Sequence, residues 1–193
     1  MALTQLNLNI EVREISLKDR PKELLNISPK GTVPVLFIDE NNIIDESIDI
    51  MFWTMNQTNS KWLDFEKEKQ LKIILNIDKN FKQWLDKYKY HDRYQENSYE
   101  FYQNKCGQHL KKYNDQLKDN KYILGNEFQL VDIAIFPFIR QCANVNHKWF
   151  QNNFDHLDRW LNKIIDSNLF DSVMEKYQIW DQKSIGQIVN FKV

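Results

Sequence analysis

Two short pieces of the chain, Val33-Pro34 and Glu46-Ser47, carry residue types that suggest chemistry, and two exposed-looking cations, Arg20 and Lys30, precede them. Glu46 and Ser47 fall where the pattern predicts a helix start, in Asp45-Glu46-Ser47. Free backbone N–H groups and the helix dipole make such a start attractive to an anion, and the Glu46 carboxylate can take a charge-assisted bond from a cation. The plain alternative is an ordinary capped helix. Val33-Pro34 opens the apolar segment Val33-Pro34-Val35-Leu36-Phe37-Ile38. Alone, the pair reads as a trans proline at the start of an edge strand. Arg20 and Lys30 suit a solvated surface as well as a carboxylate partner.

Other constellations read as structure. His91, His109, His147 and His156 form no paired-ligand motif. Cys106 and Cys142 fall in separate predicted helices as small buried hydrophobes, so neither a disulfide framework nor a zinc cluster is expected. Trp84, Tyr99, Tyr102 and Trp149-Phe150 could line an apolar second-substrate pocket, but aromatics at helical spacing belong to a core. Asp132, alone in the apolar run Leu130 to Ile139, needs partners whether it is a catalytic acid or a structural one.

The elements that must position these residues divide the chain. Residues 1–56 read as mixed α/β: a strand around Val12, Ile15 and Leu17, a short helix from Arg20 to Leu25 with proline in its first turn, and a hairpin whose turn is Asp39 to Asn42. Residues 57–193 read as all-helical. Ile73, Ile77, Phe81, Trp84 and Tyr88 step along one helix face, and Tyr102, Cys106, Leu110, Tyr113 and Leu117 along another. Leu130 to Ile139 is apolar nearly all round and is expected in the middle, with Leu157 to Ile165 and Leu169 to Tyr177 outside it and an irregular tail at the end.

With 26 basic and 27 acidic residues among 193 and a pI near 6.4, a dedicated polyanion binder is excluded as the default, so no nucleic-acid partner is expected. A hydrophobic content of 42% with 13% aromatic residues is enough for a sizeable core. No apolar run approaches the roughly 18 residues that a membrane span needs, and the start Met1-Ala2-Leu3-Thr4 lacks the features of a secretory signal. A cytoplasmic protein without a membrane partner is the expectation.

Two long motifs then carry a resemblance. Ser28-Pro29-Lys30-Gly31-Thr32-Val33-Pro34-Val35-Leu36, followed by Ile44-Asp45-Glu46-Ser47, resembles the glutathione-binding half of the glutathione S-transferase family. Gly125 followed by Leu130-Val131-Asp132-Ile133-Ala134-Ile135-Phe136-Pro137-Phe138 is similar to the start of that family's central helix. Arg159-Trp160-Leu161 and Val173 to Tyr177 extend the likeness to a bacterial branch. The resemblance implies a thioredoxin-like domain followed by a helical domain, a homodimer, glutathione as co-substrate, and a small electrophilic or disulfide second substrate. It implies that Val33-Pro34 is cis and turns the Val33 main chain towards the cysteinyl segment. It gives Glu46 and Ser47 the γ-glutamyl end, puts Arg20 near the glycine carboxylate with Lys30 as a second candidate, and makes Asp132 one half of a capping box whose other half is Gln129, a poor N-cap.

The family's first strand and catalytic turn, which carry a Tyr, Ser or Cys, have no counterpart here. Ala2 to Leu6 and Asn9 to Val12 resemble the end of the first helix and the second strand. We therefore expect no catalytic residue and an impaired activity, conjugation or thiol transfer in the parent, or else a non-catalytic partner-binding member of the fold. An internal methionine taken as the start is the expected explanation. Without that strand, its two neighbours in the sheet would each need another partner, because unpaired buried backbone groups cost about 1–3 kcal/mol each.

Overall fold

A computed structural model describes residues 1–191. The chain divides into two compact units, one made of residues 1–60 with the C-terminal segment from Ser167, the other of residues 61–166. The first is α/β and the second all-α.

In the first unit, Ala2–Leu6 forms a 3-10 turn with Ala2 and Thr4 buried, ended by Asn7 in the left-handed region at φ 49°. Strand β1 follows, Asn9–Val12. Helix α1, Lys22–Ile27, starts directly after Pro21, whose fixed φ suits a helix entry. Strands β2, Leu36–Asp39, and β3, Asn42–Ile44, form an antiparallel hairpin. Its turn is held by the Asp39 carboxylate, which accepts from the Asn41 N–H and the Asn42 amide, each at 2.8 Å. Helix α2, Ser47–Asn56, buries Ile50, Thr54 and Met55 and packs on the 3-10 turn.

Two expectations fail in this unit. The first strand stops at Val12 instead of running on to Leu17; beyond it Glu14 makes only an isolated bridge to Ile179, and Ser16 one to Asp19. The tail expected to be irregular contains strand β4, Gln187–Asn190, antiparallel to β1 with Val12 opposite Gln187 and Asn9 opposite Asn190. The backbone groups of β1 thus find a partner near the other end of the sequence. Among the described residues β1–β4 and β2–β3 are two separate two-stranded sheets.

The attachment of the tail is built from side chains as well. Glu11 Oε1 accepts from the Gly186 N–H at 2.9 Å and from Arg13 Nε at 2.6 Å. The Arg13 guanidinium lies 4.4 Å over the Trp180 ring, and the Trp180 N–H donates to the Glu14 carbonyl at 2.8 Å.

The second unit holds helices α3, Lys67–Asn76, α4, Lys82–Lys89, α5, Tyr99–Gln116, α6, Leu130–Val145, α7, His147–Asn153, and α8, Asp155–Ile165. A π turn, Ile77–Phe81, joins α3 to α4. The buried face there is Ile74, Ile77, Phe81, Leu85 and Tyr88, so Ile73 and Trp84 fall on its half-buried margin. The face expected on α5 is buried in full, from Tyr102 to Leu117. Helix α6 is buried from Leu130 to Phe136 and packs against α3, α4, α7 and α8. The predicted segment Leu169 to Tyr177, which lies in the first unit, is helical only over Asn168–Asp171, helix α9.

Buried polar groups lock the start of α6. Gln70 donates to the Trp62 and Phe65 carbonyls at 3.0 and 2.8 Å and accepts from the Val131 N–H at 3.0 Å. Asp132 accepts from the N–H groups of Ile123 and Gln129 and from Trp160 Nε1, at 3.1, 3.0 and 2.8 Å. Its half of the capping box is therefore made. The Asp132 N–H itself goes to the Gln129 main-chain carbonyl at 3.1 Å, which leaves the buried Gln129 side-chain oxygen without a hydrogen bond. Asp132 is thus a structural carboxylate, tied to three donors of its own unit.

Candidate functional site

The residues singled out around positions 20 to 47 all belong to the first unit. Helix α1 ends when the Ser28 N–H closes on the Leu24 carbonyl at 2.8 Å, and the chain turns at once through Gly31, whose N–H reaches the Ser28 carbonyl at 2.9 Å. Gly31 has a φ of +61°, and a Cβ there would come within 2.9 Å of the Leu25 side chain and 3.0 Å of Arg20 Cδ. Both the backbone sign and the space call for glycine. The Arg20 stem therefore lies along this turn. Its exposed guanidinium makes no hydrogen bond or ion pair among the described residues.

The turn leads into Val33-Pro34, a cis peptide bond. Val33 is 48% exposed, and its main chain makes no hydrogen bond among the described residues. Strand β2 begins two residues later, and its register sets Leu36 opposite Ile44. An antiparallel register runs outward symmetrically from that pair, so Val33-Pro34 and Glu46-Ser47 leave the same end of the hairpin. That is the relationship which brings the two halves of the motif together.

At the hairpin's exit, Glu46 is the N-cap residue of α2, with extended backbone, and Ser47 is the first helical residue. No side chain caps this end, so first-turn N–H groups of α2 face outward beside an exposed Glu46 and an exposed Ser47. Such a helix mouth favours a carboxylate near the N–H groups, and Glu46 favours an ammonium.

The ammonium of Lys30, read as either a second cation for a glycine carboxylate or a solvated surface residue, donates to Glu46 at 3.0 Å and lies 3.2 Å from Asp45. These two carboxylates, Glu46 first, hold the Lys30 ammonium above its usual pKa, and Lys30 in turn holds the Asp45 carboxyl below its own. Asp45 also accepts from the hydroxyl of the buried Ser28 at 3.2 Å. Ser28 and Asp45 were missed as site residues; the only sequence signal was an acid beside Glu46, since the partners lie 17 positions apart.

The remaining candidates are structural. Cys106 and Cys142 are free thiols with no exposed surface, and a hydrogen bond between them together with burial pushes the Cys142 thiol up. Among the described residues no group of three or more His, Cys, Asp or Glu is placed to hold a metal ion, and no helix is long and apolar enough to cross a membrane.

Comparison with known proteins agrees with this architecture. Residues 1–61 match the family described as the glutathione S-transferase N-terminal domain, and residues 96–163 match the glutathione S-transferase C-terminal domain. The chain belongs to the glutathione S-transferase family. It shares its fold with glutathione transferase URE2P6 from Phanerochaete chrysosporium, solved with oxidized glutathione, at 17% identity and a TM-score of 0.75 over 89% of this chain and 86% of that one. A family member from Pseudomonas fluorescens with two glutathione bound is similar at 17% identity and a TM-score of 0.73, over 86% of this chain and 82% of that one. Glutathione transferase F7 from Populus trichocarpa is similar at 18% identity and a TM-score of 0.73, over 89% of each chain. No curated protein sequence matches the chain.

Proposed function

We propose that this protein binds glutathione at the end of the β2–β3 hairpin, with residues 1–60 and the segment from Ser167 as its thioredoxin-like part and residues 61–166 as its helical part. The Val33 main chain, turned by Pro34, pairs with the cysteinyl segment in the manner of an added strand. The α2 N-terminus and Ser47 take the γ-glutamyl carboxylate, Glu46 takes the ammonium, and Arg20 takes the glycine carboxylate. The observation that carries this reading is the hairpin register, which sends Val33-Pro34 and Glu46-Ser47 out of one end.

The parent activity is conjugation or glutathione-dependent thiol transfer, acting on a small electrophilic or disulfide substrate, in a cytoplasmic homodimer. In this chain that activity is impaired. Thiol chemistry gains rate from a donor that stabilises the thiolate. Residues 1–60 contain no Tyr and no Cys, and the Ser28 hydroxyl donates to Asp45. A second reading is a non-catalytic, partner-binding member of the fold. It is favoured by the β1–β4 ribbon, around which Leu8, Ile185 and Ile188 are 57%, 77% and 59% exposed.

The test is retention on immobilised glutathione with elution by the free tripeptide, followed by assays of conjugation and of disulfide exchange. Retention with turnover near the uncatalysed rate is the expected result. Turnover well above that rate overturns the impairment, and absence of retention overturns the binding site.

A further inference from the structure

Glu46 is already occupied by a primary ammonium of the chain's own. Lys30 Nζ donates to it at 3.0 Å, and Lys30 is the sole hydrogen-bond partner of the Glu46 side chain among the described residues. Lys30 has a second acceptor in Asp45, at 3.2 Å, and Asp45 is steadied by the buried Ser28. Both members of the Lys30–Glu46 pair are exposed, at 54% and 59%.

We propose that Lys30 is an internal competitor for the ligand's ammonium and so sets how strongly this site selects for an ammonium-bearing γ-glutamyl end. The inference rests on the glutathione reading above. Two consequences follow from the geometry. A ligand ammonium that takes Glu46 displaces Lys30 onto Asp45, so the exchange sacrifices one exposed ion pair and strands no charge. A ligand without an ammonium leaves Lys30 in place, and Glu46 stays neutralised when the ligand covers it. Lys30 therefore weakens the response to ligands that carry the ammonium and shields the site against the penalty for those that lack it. Its effect is to make the site permissive at the γ-glutamyl end.

The experiment is calorimetric titration of the full chain with glutathione and with the same tripeptide lacking only its ammonium, glutaryl-cysteinyl-glycine. The proteins are the wild type, Lys30→Met and Lys30→Arg, each first shown to melt with the wild-type profile. Lys30→Met is expected to bind glutathione roughly 1.5- to 5-fold tighter, the span of an exposed ion pair. Its preference for glutathione over the analogue is expected to widen by at least the same factor, while Lys30→Arg stays at the wild-type ratio. An unchanged preference in Lys30→Met, with glutathione still bound, overturns the competitor role alone. Weaker binding of both ligands overturns it too, and makes Lys30 a direct ligand contact. If no protein binds glutathione at millimolar concentration, the glutathione reading itself fails and this inference with it.

Discussion

Gly186 lies directly against Val12: a Cβ built on the glycine would stand 2.6 Å from the Val12 carbonyl oxygen, and the Gly186 N–H donates to Glu11 at 2.9 Å. The obstructing atom belongs to the backbone, so no rotamer change relieves it. Gly186→Ala is therefore expected to push the tail away from β1. Forcing an extra methyl into a filled space costs about 1–3 kcal/mol, which outweighs the ~0.4–1 kcal/mol that alanine gains by restricting the unfolded chain. Urea unfolding gives the net loss, and faster amide exchange in Asn9–Val12 gives its location. Wild-type exchange in β1 together with unchanged stability would show that β4 contributes nothing to holding that strand.

The pairing at stake could not be read from the sequence, and the reason is physical. Gln187 to Asn190 is four residues with little buried surface, too short for a period of two to stand out, and its partner lies 175 or more positions away. The helices of the second unit were legible because burial every third or fourth residue is a local signal; Tyr102 to Leu117 on α5 needed no knowledge of what lies opposite. The same signal has a limit at Ile73 and Trp84: each has an apolar neighbour, Ile74 and Leu85, that a spacing of three or four fits equally well, and it is the neighbour that is buried. At the candidate site, the helix start at Glu46-Ser47 was legible from the acids beside it, whereas the cis Val33-Pro34 was legible only through the family motif. For Lys30 the sequence left a surface role and a ligand carboxylate both open; its pairing with Glu46 and Asp45 was not legible, because a flexible cation's choice among carboxylates depends on how the 28–32 turn is aimed.

Asp132 gives a pH-dependence whose sign can be worked out. Burial pushes its carboxyl from 3.8 up to about 6, against the pull of its hydrogen bonds from Ile123, Trp160 and Gln129. A carboxyl with the higher pKa in the folded state binds more protons there. Its contribution to stability is then complete below pH 3.8, is lost as pH rises through about 6, and is constant above about pH 7. Asn at this position has no such titration. The stability of the wild type relative to Asp132→Asn is expected to fall by about 2 kcal/mol between pH 4 and pH 6 and to level off near pH 7. The offset between the two curves reflects the amide facing three N–H donors, about 1–3 kcal/mol. Urea titrations of both proteins from pH 4 to pH 7 measure the slope. A difference that does not vary with pH would mean that the three donors keep Asp132 ionised throughout.

The two residues at the α2 entrance give the last prediction, because the structure separates their effects on binding from effects on folding. Glu46 and Ser47 are exposed, and neither side chain caps the helix or reaches the core. Substitutions at such positions leave stability almost unchanged. Ser47→Ala is expected to weaken glutathione binding roughly fivefold, the value of one neutral hydrogen bond, and Glu46→Gln roughly tenfold or more, because the bond it removes is charge-assisted. The two losses should differ in kind. The tripeptide without its ammonium should feel Ser47→Ala as strongly as glutathione does but be nearly indifferent to Glu46→Gln, since it never used that carboxylate. Calorimetry on the four protein–ligand combinations decides the matter. Equal sensitivity of both ligands to Glu46→Gln would place the ammonium elsewhere, and with it the γ-glutamyl end of the ligand.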